Sequence, residues 1–125
     1  FQKTEQQVTV LYDLKGYDEI SLTGSTKALS KNSERVLTPA DFGVQQLQAA
    51  DISGGSSVAS SASIFMNVLQ NKGTLAQQNV VCANSGMAIA TALNVSPIEG
   101  FEKAKESLES GKALHALTTL QKLSI

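Results

Sequence analysis

Two adjacent carboxylates, Asp18 and Glu19, are the residues of this sequence best suited to chemistry. Mg²⁺ is a hard cation. It takes one or two protein carboxylates and completes its shell with water and substrate phosphates. Neighbouring residues of a regular strand point to opposite faces. Asp18 and Glu19 can therefore share an ion only where the chain turns, and Gly16 makes a turn easy there. The pair also reads as a solvated acidic turn, and residue types alone leave both readings open.

Other chemistries find less support. His115 is the only histidine, and it has no acidic or cysteine partner in a recognisable pattern. Cys82 lies in an apolar stretch and reads as a small buried hydrophobe. No GxSxG, CxxC or Ser/His/Asp order is present, which excludes the usual signatures of nucleophilic and zinc chemistry. Gly54-Gly55 ahead of a helix resembles a phosphate cradle but lacks the Lys-Ser or Lys-Thr of a P-loop. A tight turn with a serine cap at Ser56 is the favoured reading. Lys103, Lys105, Glu102, Glu106 and Glu109 form the mixed charged face of an ordinary amphipathic helix.

The elements that must position the pair can be read in order. Residues 1–6 are polar and read as the end of a helix or loop. Val8-Thr9-Val10-Leu11-Tyr12-Asp13 is an apolar, β-branched run, expected to be a buried strand over residues 7–13. Asp18 and Glu19 fall just past its carboxyl end, where open α/β sheets bind ligands. Thr26 to Ser30 is expected to pair with Arg35-Val36-Leu37 as a hairpin. Thr38-Pro39-Ala40-Asp41 opens a short helix that Gly43 stops.

Four longer helices follow. The first has an expected apolar face of Val58, Ala62, Phe65 and Leu69. The second, over residues 76–93, is apolar nearly all round and is expected to be buried, with small residues that admit a close neighbour. Ser96-Pro97-Ile98-Glu99 is a capping box with proline at the first helical position. The helix it opens is expected to bury Ile98, Phe101, Ala104 or the stem of Lys105, and Leu108, and the last helix carries Ala113, Leu114, Leu117 and Leu120 on one face.

The 125 residues suffice for one modest domain. A hydrophobic content of 42% against 17% charged residues argues against disorder. A net charge of −1 with interspersed lysine and glutamate gives no nucleic-acid footprint. The longest apolar run, residues 80–95, is too short and too polar to span a bilayer, so no membrane partner is expected. One or two core strands and a hairpin are few for a complete α/β sheet, which averages about 5–6 strands. Part of the sheet is therefore expected to lie outside this chain.

Gly16-Tyr17-Asp18-Glu19-Ile20-Ser21 resembles the GxDEIS signature of the anthranilate phosphoribosyltransferases, in the nucleoside phosphorylase-like superfamily. Leu37-Thr38-Pro39-Ala40-Asp41-Phe42-Gly43, Ser53-Gly54-Gly55 and Glu106-Ser107-Leu108-Glu109-Ser110-Gly111-Lys112-Ala113 are similar to that family in the same order. The resemblance covers nearly the whole chain and about the last third of a family member. The fold class expected is α/β: an incomplete mixed sheet packed with about four helices. Residues 1–125 would be the carboxyl-terminal part of a larger α/β phosphoribosyltransferase domain, without the amino-terminal helical domain and the phosphate loop.

The family resemblance implies Mg²⁺-dependent transfer of phosphoribose from phosphoribosyl diphosphate (PRPP) to anthranilate, in tryptophan biosynthesis, by a homodimer; a cytoplasmic location is expected instead from the single cysteine, Cys82, which allows no internal disulfide. The resemblance implies that Asp18 and Glu19 are the metal ligands. The family's Gly-rich phosphate loop, Lys-His-Gly-Asn motif and anthranilate-contacting arginine all precede the region covered here, so the fragment alone is expected to be inactive; the sheet edge and apolar face it would expose are expected to make it self-associate. Two further departures are local. The strand that usually ends Val-His-Gly reads Val10-Leu11-Tyr12-Asp13, and Tyr17 replaces the usual Leu or Met before the pair. Competing readings are a pyrimidine nucleoside phosphorylase, a nucleic-acid-binding relative and a non-catalytic α/β interaction module.

Overall fold

A computed structural model describes residues 3–124. Of the polar start, residues 3–6 form bends and a turn, and the first two residues lie outside the described ones. Three strands follow: β1 (Thr9–Asp13), β2 (Thr26–Ser30) and β3 (Ser33–Leu37). They form one antiparallel meander in the order β1-β2-β3. The expected hairpin is present, with Thr26 opposite Leu37 and Ser30 opposite Ser33. Every strand pair among the described residues is antiparallel.

The β1 strand is buried on one face only, which corrects the expectation of a buried strand. Val10 is 51% and Tyr12 57% exposed, while Asp13 is fully buried. Antiparallel sheets commonly pack one face on the core and leave the other to solvent. Leu29 and Val36 join the outward face, where Lys27 and Glu34 form a salt bridge at 2.5 Å.

Four helices complete the chain: α1 (Val58–Leu69), α2 (Leu75–Leu93), α3 (Pro97–Glu109) and α4 (Lys112–Leu123). Pro39–Phe42 is a 3₁₀ turn, closed by Gly43 in the left-handed region at φ 74°. A second 3₁₀ turn spans Ala49–Ile52. The Ser57 hydroxyl, not that of Ser56, caps α1 by accepting from the Ser60 N–H at 3.1 Å. Thr74 caps α2 in the same way from Gln77, and Ser96 caps α3 from Glu99 at 3.3 Å.

The core lies where α2 crosses α3. Gly86 on α2 meets the backbone of Gly100 and Phe101 on α3: a Cβ at Gly86 would lie 2.7 Å from the Phe101 nitrogen and Cα. The small residues expected to admit a close neighbour do so here. Cys82, Ala83, Met87 and Ala90 of α2 pack with Phe101, Ala104 and Leu108 of α3 in one cluster that also takes in Ile20, Leu22, Leu37 and Phe42. The Phe42 and Phe101 rings are tilted, with centroids 6.4 Å apart.

Three apolar expectations are corrected. The α2 helix is buried on one face rather than all round, with Val81 and Leu93 39% and 57% exposed. Ile98 is half exposed beside Gly43. On α1, Val58 and Phe65 face solvent, and Val68 is the buried residue. The stripe on α1 has the right period, but among the described residues only its far end, Leu69, packs against the core, while Val58, Ala62 and Phe65 stay exposed. Among the described residues no helix is long and apolar enough to cross a membrane.

Candidate metal-binding site

The pair sits on the loop that leaves β1. The peptide turns at Gly16, whose φ of 94° is open to glycine at little cost, and whose N–H donates to the Asp13 carbonyl at 3.1 Å. Asp18 and Glu19 follow, both exposed. Neither carboxylate has a hydrogen bond or an ion pair among the described residues. The turn that sharing an ion requires is thus present.

The loop is tied down on both sides. At its start the buried Asp13 carboxylate accepts from the Lys15 N–H with Oδ1 at 2.8 Å. With Oδ2 it accepts from the Ser21 N–H at 3.1 Å and the Ser21 hydroxyl at 2.7 Å. The Ser21 hydroxyl lies 2.8 Å from that of Thr23 and accepts from the Thr23 N–H at 3.1 Å. At the far end, the Asn84 amide on α2 reads the Ile20 backbone in both directions. Its Oδ1 accepts from the Ile20 N–H at 2.9 Å, and its Nδ2 donates to the Ile20 carbonyl at 2.8 Å. That nitrogen also donates to the Val80 carbonyl at 2.9 Å, which fixes the side chain on its own helix.

Behind the loop the backbone is constrained further. Leu22 is buried at φ 61°, a left-handed conformation uncommon for a bulky side chain. It is held there by the Leu47 N–H on its carbonyl at 2.9 Å and by the Gln46 amide on the next carbonyl, that of Thr23, at 3.0 Å. Such outliers persist where the surroundings over-determine them, and they cluster at functional sites.

The donor set suits Mg²⁺. Two exposed carboxylates stand without a third His, Cys, Asp or Glu around them, since no cluster of three such groups occurs among the described residues. A structural zinc site needs four protein ligands, whereas Mg²⁺ works with one or two carboxylates plus water and phosphate. Asp18 and Glu19 are therefore the residues that could hold such an ion.

The other candidates behave as the pattern implies. His115 is exposed on α4. Cys82 is buried, and its thiol pKa is raised, first by desolvation and then by the nearby Glu109 carboxylate. Gly55 is a tight-turn glycine: a Cβ there would fall 2.6 Å from the Ser61 nitrogen. Sequence reasoning assigned no task to Asp13 or Asn84. Their signal was a polar residue inside an otherwise apolar element, Asp13 closing the strand and Asn84 interrupting α2.

Comparison with known proteins agrees with this architecture. Residues 2–114 match the model of the glycosyl transferase family, a/b domain. The chain is 60% identical over 124 residues to the anthranilate phosphoribosyltransferase of Christiangramia forsetii, covering 99% of this chain and 38% of that protein. It is 55% identical over 125 residues to that of Flavobacterium psychrophilum, covering 100% and again 38%. The chain thus spans about two fifths of the length of these relatives.

Among solved structures, the anthranilate phosphoribosyltransferase of Thermus thermophilus superposes with a TM-score of 0.80 at 24% identity, over 89% of this chain and 33% of that one. That of Saccharomyces cerevisiae in complex with PRPP and Mg superposes with a TM-score of 0.75 at 23% identity, over 88% and 32%. These likenesses establish the shared fold. A family match running from ahead of the strands, through the acidic loop, to the start of α4 makes this chain a member of the glycosyl transferase family, in its a/b domain, similar there to the anthranilate phosphoribosyltransferases.

Proposed function

We propose that these residues form the carboxyl-terminal part of the α/β domain of an anthranilate phosphoribosyltransferase. The protein would transfer phosphoribose from PRPP to the amine of anthranilate, release diphosphate and serve cytoplasmic tryptophan biosynthesis as a homodimer. Asp18 and Glu19 are assigned as the ligands of Mg²⁺. The observation that carries the assignment is the presentation of the pair: two exposed carboxylates without protein partners among the described residues, on a loop anchored at Asp13 and Asn84. The names of the relatives and the yeast complex with PRPP and Mg supply the chemical context.

The physical demands of the reaction fit. Breaking the bond from the ribose C1 to diphosphate concentrates negative charge on the leaving oxygens. A bound Mg²⁺ would neutralise that charge as it develops. The carboxylates' task is to place the ion, so their own position must not wander. The amine of anthranilate is a nucleophile at neutral pH and needs no strong base, so this part of the protein contributes positioning rather than proton transfer. The phosphate loop and the anthranilate-contacting arginine would come from the remainder of the longer protein, so the isolated chain is predicted to show no turnover.

The test is a Mg²⁺ titration of PRPP-dependent turnover in the full-length protein, with Asp18→Asn and Glu19→Gln singly and together. Each single change should raise the Mg²⁺ needed for half-maximal rate by at least the roughly tenfold that losing a supporting partner of a metal ligand costs. An unaltered Mg²⁺ dependence in the double variant overturns the metal assignment. Phosphorolysis of a pyrimidine nucleoside, without anthranilate turnover, would reassign the reaction.

A further inference from the structure

Asp13 is a costly residue where it stands. It is fully buried, and no salt bridge reaches it among the described residues. A carboxylate in that setting is tolerated only when its lone pairs are met by donors. Here three donors meet it, from Lys15 and Ser21, and all three belong to the loop that carries Asp18 and Glu19. Both oxygens act as acceptors, so even the isosteric amide cannot substitute. Asparagine offers one acceptor and one NH₂, and that NH₂ must face either the Lys15 N–H or the Ser21 N–H. Asn84 completes the arrangement from α2 by holding Ile20, the residue that follows Glu19.

We propose that Asp13, with Asn84 as its counterpart on α2, is a positioning residue for metal binding by Asp18 and Glu19. The proposal rests on the reading that this pair holds Mg²⁺. Asp13 touches no substrate and no ion in this scheme. It acts by fixing the two ends of the loop, Lys15 and Ser21, relative to each other. Supporting partners of this kind commonly alter metal affinity by about 10–100-fold.

The experiment is direct binding of Mn²⁺, a spectroscopic substitute for Mg²⁺, to the full-length protein in the presence of PRPP, followed by electron paramagnetic resonance. Asp13→Asn and Ser21→Ala are compared with the Asp18→Asn/Glu19→Gln double variant, and each thermal midpoint is recorded. Asp13→Asn should weaken Mn²⁺ binding about tenfold. Ser21→Ala, which removes one of the three donors, should weaken it less and in the same direction.

A role confined to stability would lower the thermal midpoint and leave the Mn²⁺ affinity within about twofold of wild type, and that result overturns the proposal. If Asp13→Asn does not fold, Ser21→Ala decides: unchanged Mn²⁺ affinity there is equally fatal. A double variant that binds Mn²⁺ as well as wild type shows instead that the pair is not the metal site, and both readings fall together.

Discussion

Gly86→Ala tests whether the close crossing of α2 and α3 holds the core together. The added methyl would sit 2.7 Å from the Phe101 nitrogen and Cα and 2.9 Å from the Gly100 carbonyl carbon. All three are backbone atoms, so no rotamer change relieves the clash. Carbon contacts are comfortable at about 3.5–4.0 Å, so the helices must part by close to 1 Å. Overpacking of this kind costs about 1–3 kcal/mol, and with backbone on the other side the upper end applies. Alanine returns about 1 kcal/mol through its better helix propensity. The net expectation is a loss of about 2 kcal/mol, read as a lower urea midpoint with an unchanged slope. Gly54→Ala is the control, because a Cβ there meets nothing within 4 Å, and it should stay within about 0.5 kcal/mol of wild type. A Gly86→Ala protein as stable as this control would refute the claim that the crossing distance is set by bare backbone.

Two further outcomes are expected. Burial, reinforced by Glu109, holds the Cys82 thiol protonated to higher pH in the folded chain than in the unfolded one. Its contribution is therefore complete below the unfolded thiol's pKa of 9.0 and is lost as pH rises past it. Urea midpoints measured across that range should fall more steeply for wild type than for Cys82→Ala, and parallel slopes would contradict this. Lys27 and Glu34 have side chains 40% and 58% exposed, so Glu34→Gln should change stability by less than about 1 kcal/mol. A larger loss in the same urea assay would mean that their salt bridge is not an ordinary surface pair.

Much of the chain was legible because local physics decides it. The β2–β3 hairpin follows from short β-prone runs around Lys31-Asn32, and α3 from Ser96-Pro97 at its start and Gly111 after its end. Asp18-Glu19 stood out by residue type, and the turn that presents it followed from Gly16. Periodicity on α1 announced an apolar face but not what would cover it, and among the described residues Val58 and Phe65 stay open to solvent. The bonds of Asp13 and Asn84 left no periodic trace at all. A side chain that satisfies a backbone group 64 residues away has no spacing rule to betray it. The strained Leu22 was equally silent, since a leucine in the left-handed region is dictated by its surroundings and not by its own preference.

The two anchors of the acidic loop also differ in reach, and so in what each demands of the rest of the chain. Asp13 and Ser21 are 8 residues apart, whereas Asn84 and Ile20 are 64 apart. Closing the longer ring costs about 1.8 kcal/mol more in chain entropy, from (3/2)RT ln n. The Asp13 ring is closed within the strand and its own loop, whereas the Asn84 contact exists only where α2 lies against Ile20. With the first ring alone, Asp18 and Glu19 would lie on a turn that is shaped but not seated. The amide on α2 is the latch that reports a finished core to the loop, so a chain whose helices have failed to assemble does not display a completed acidic corner.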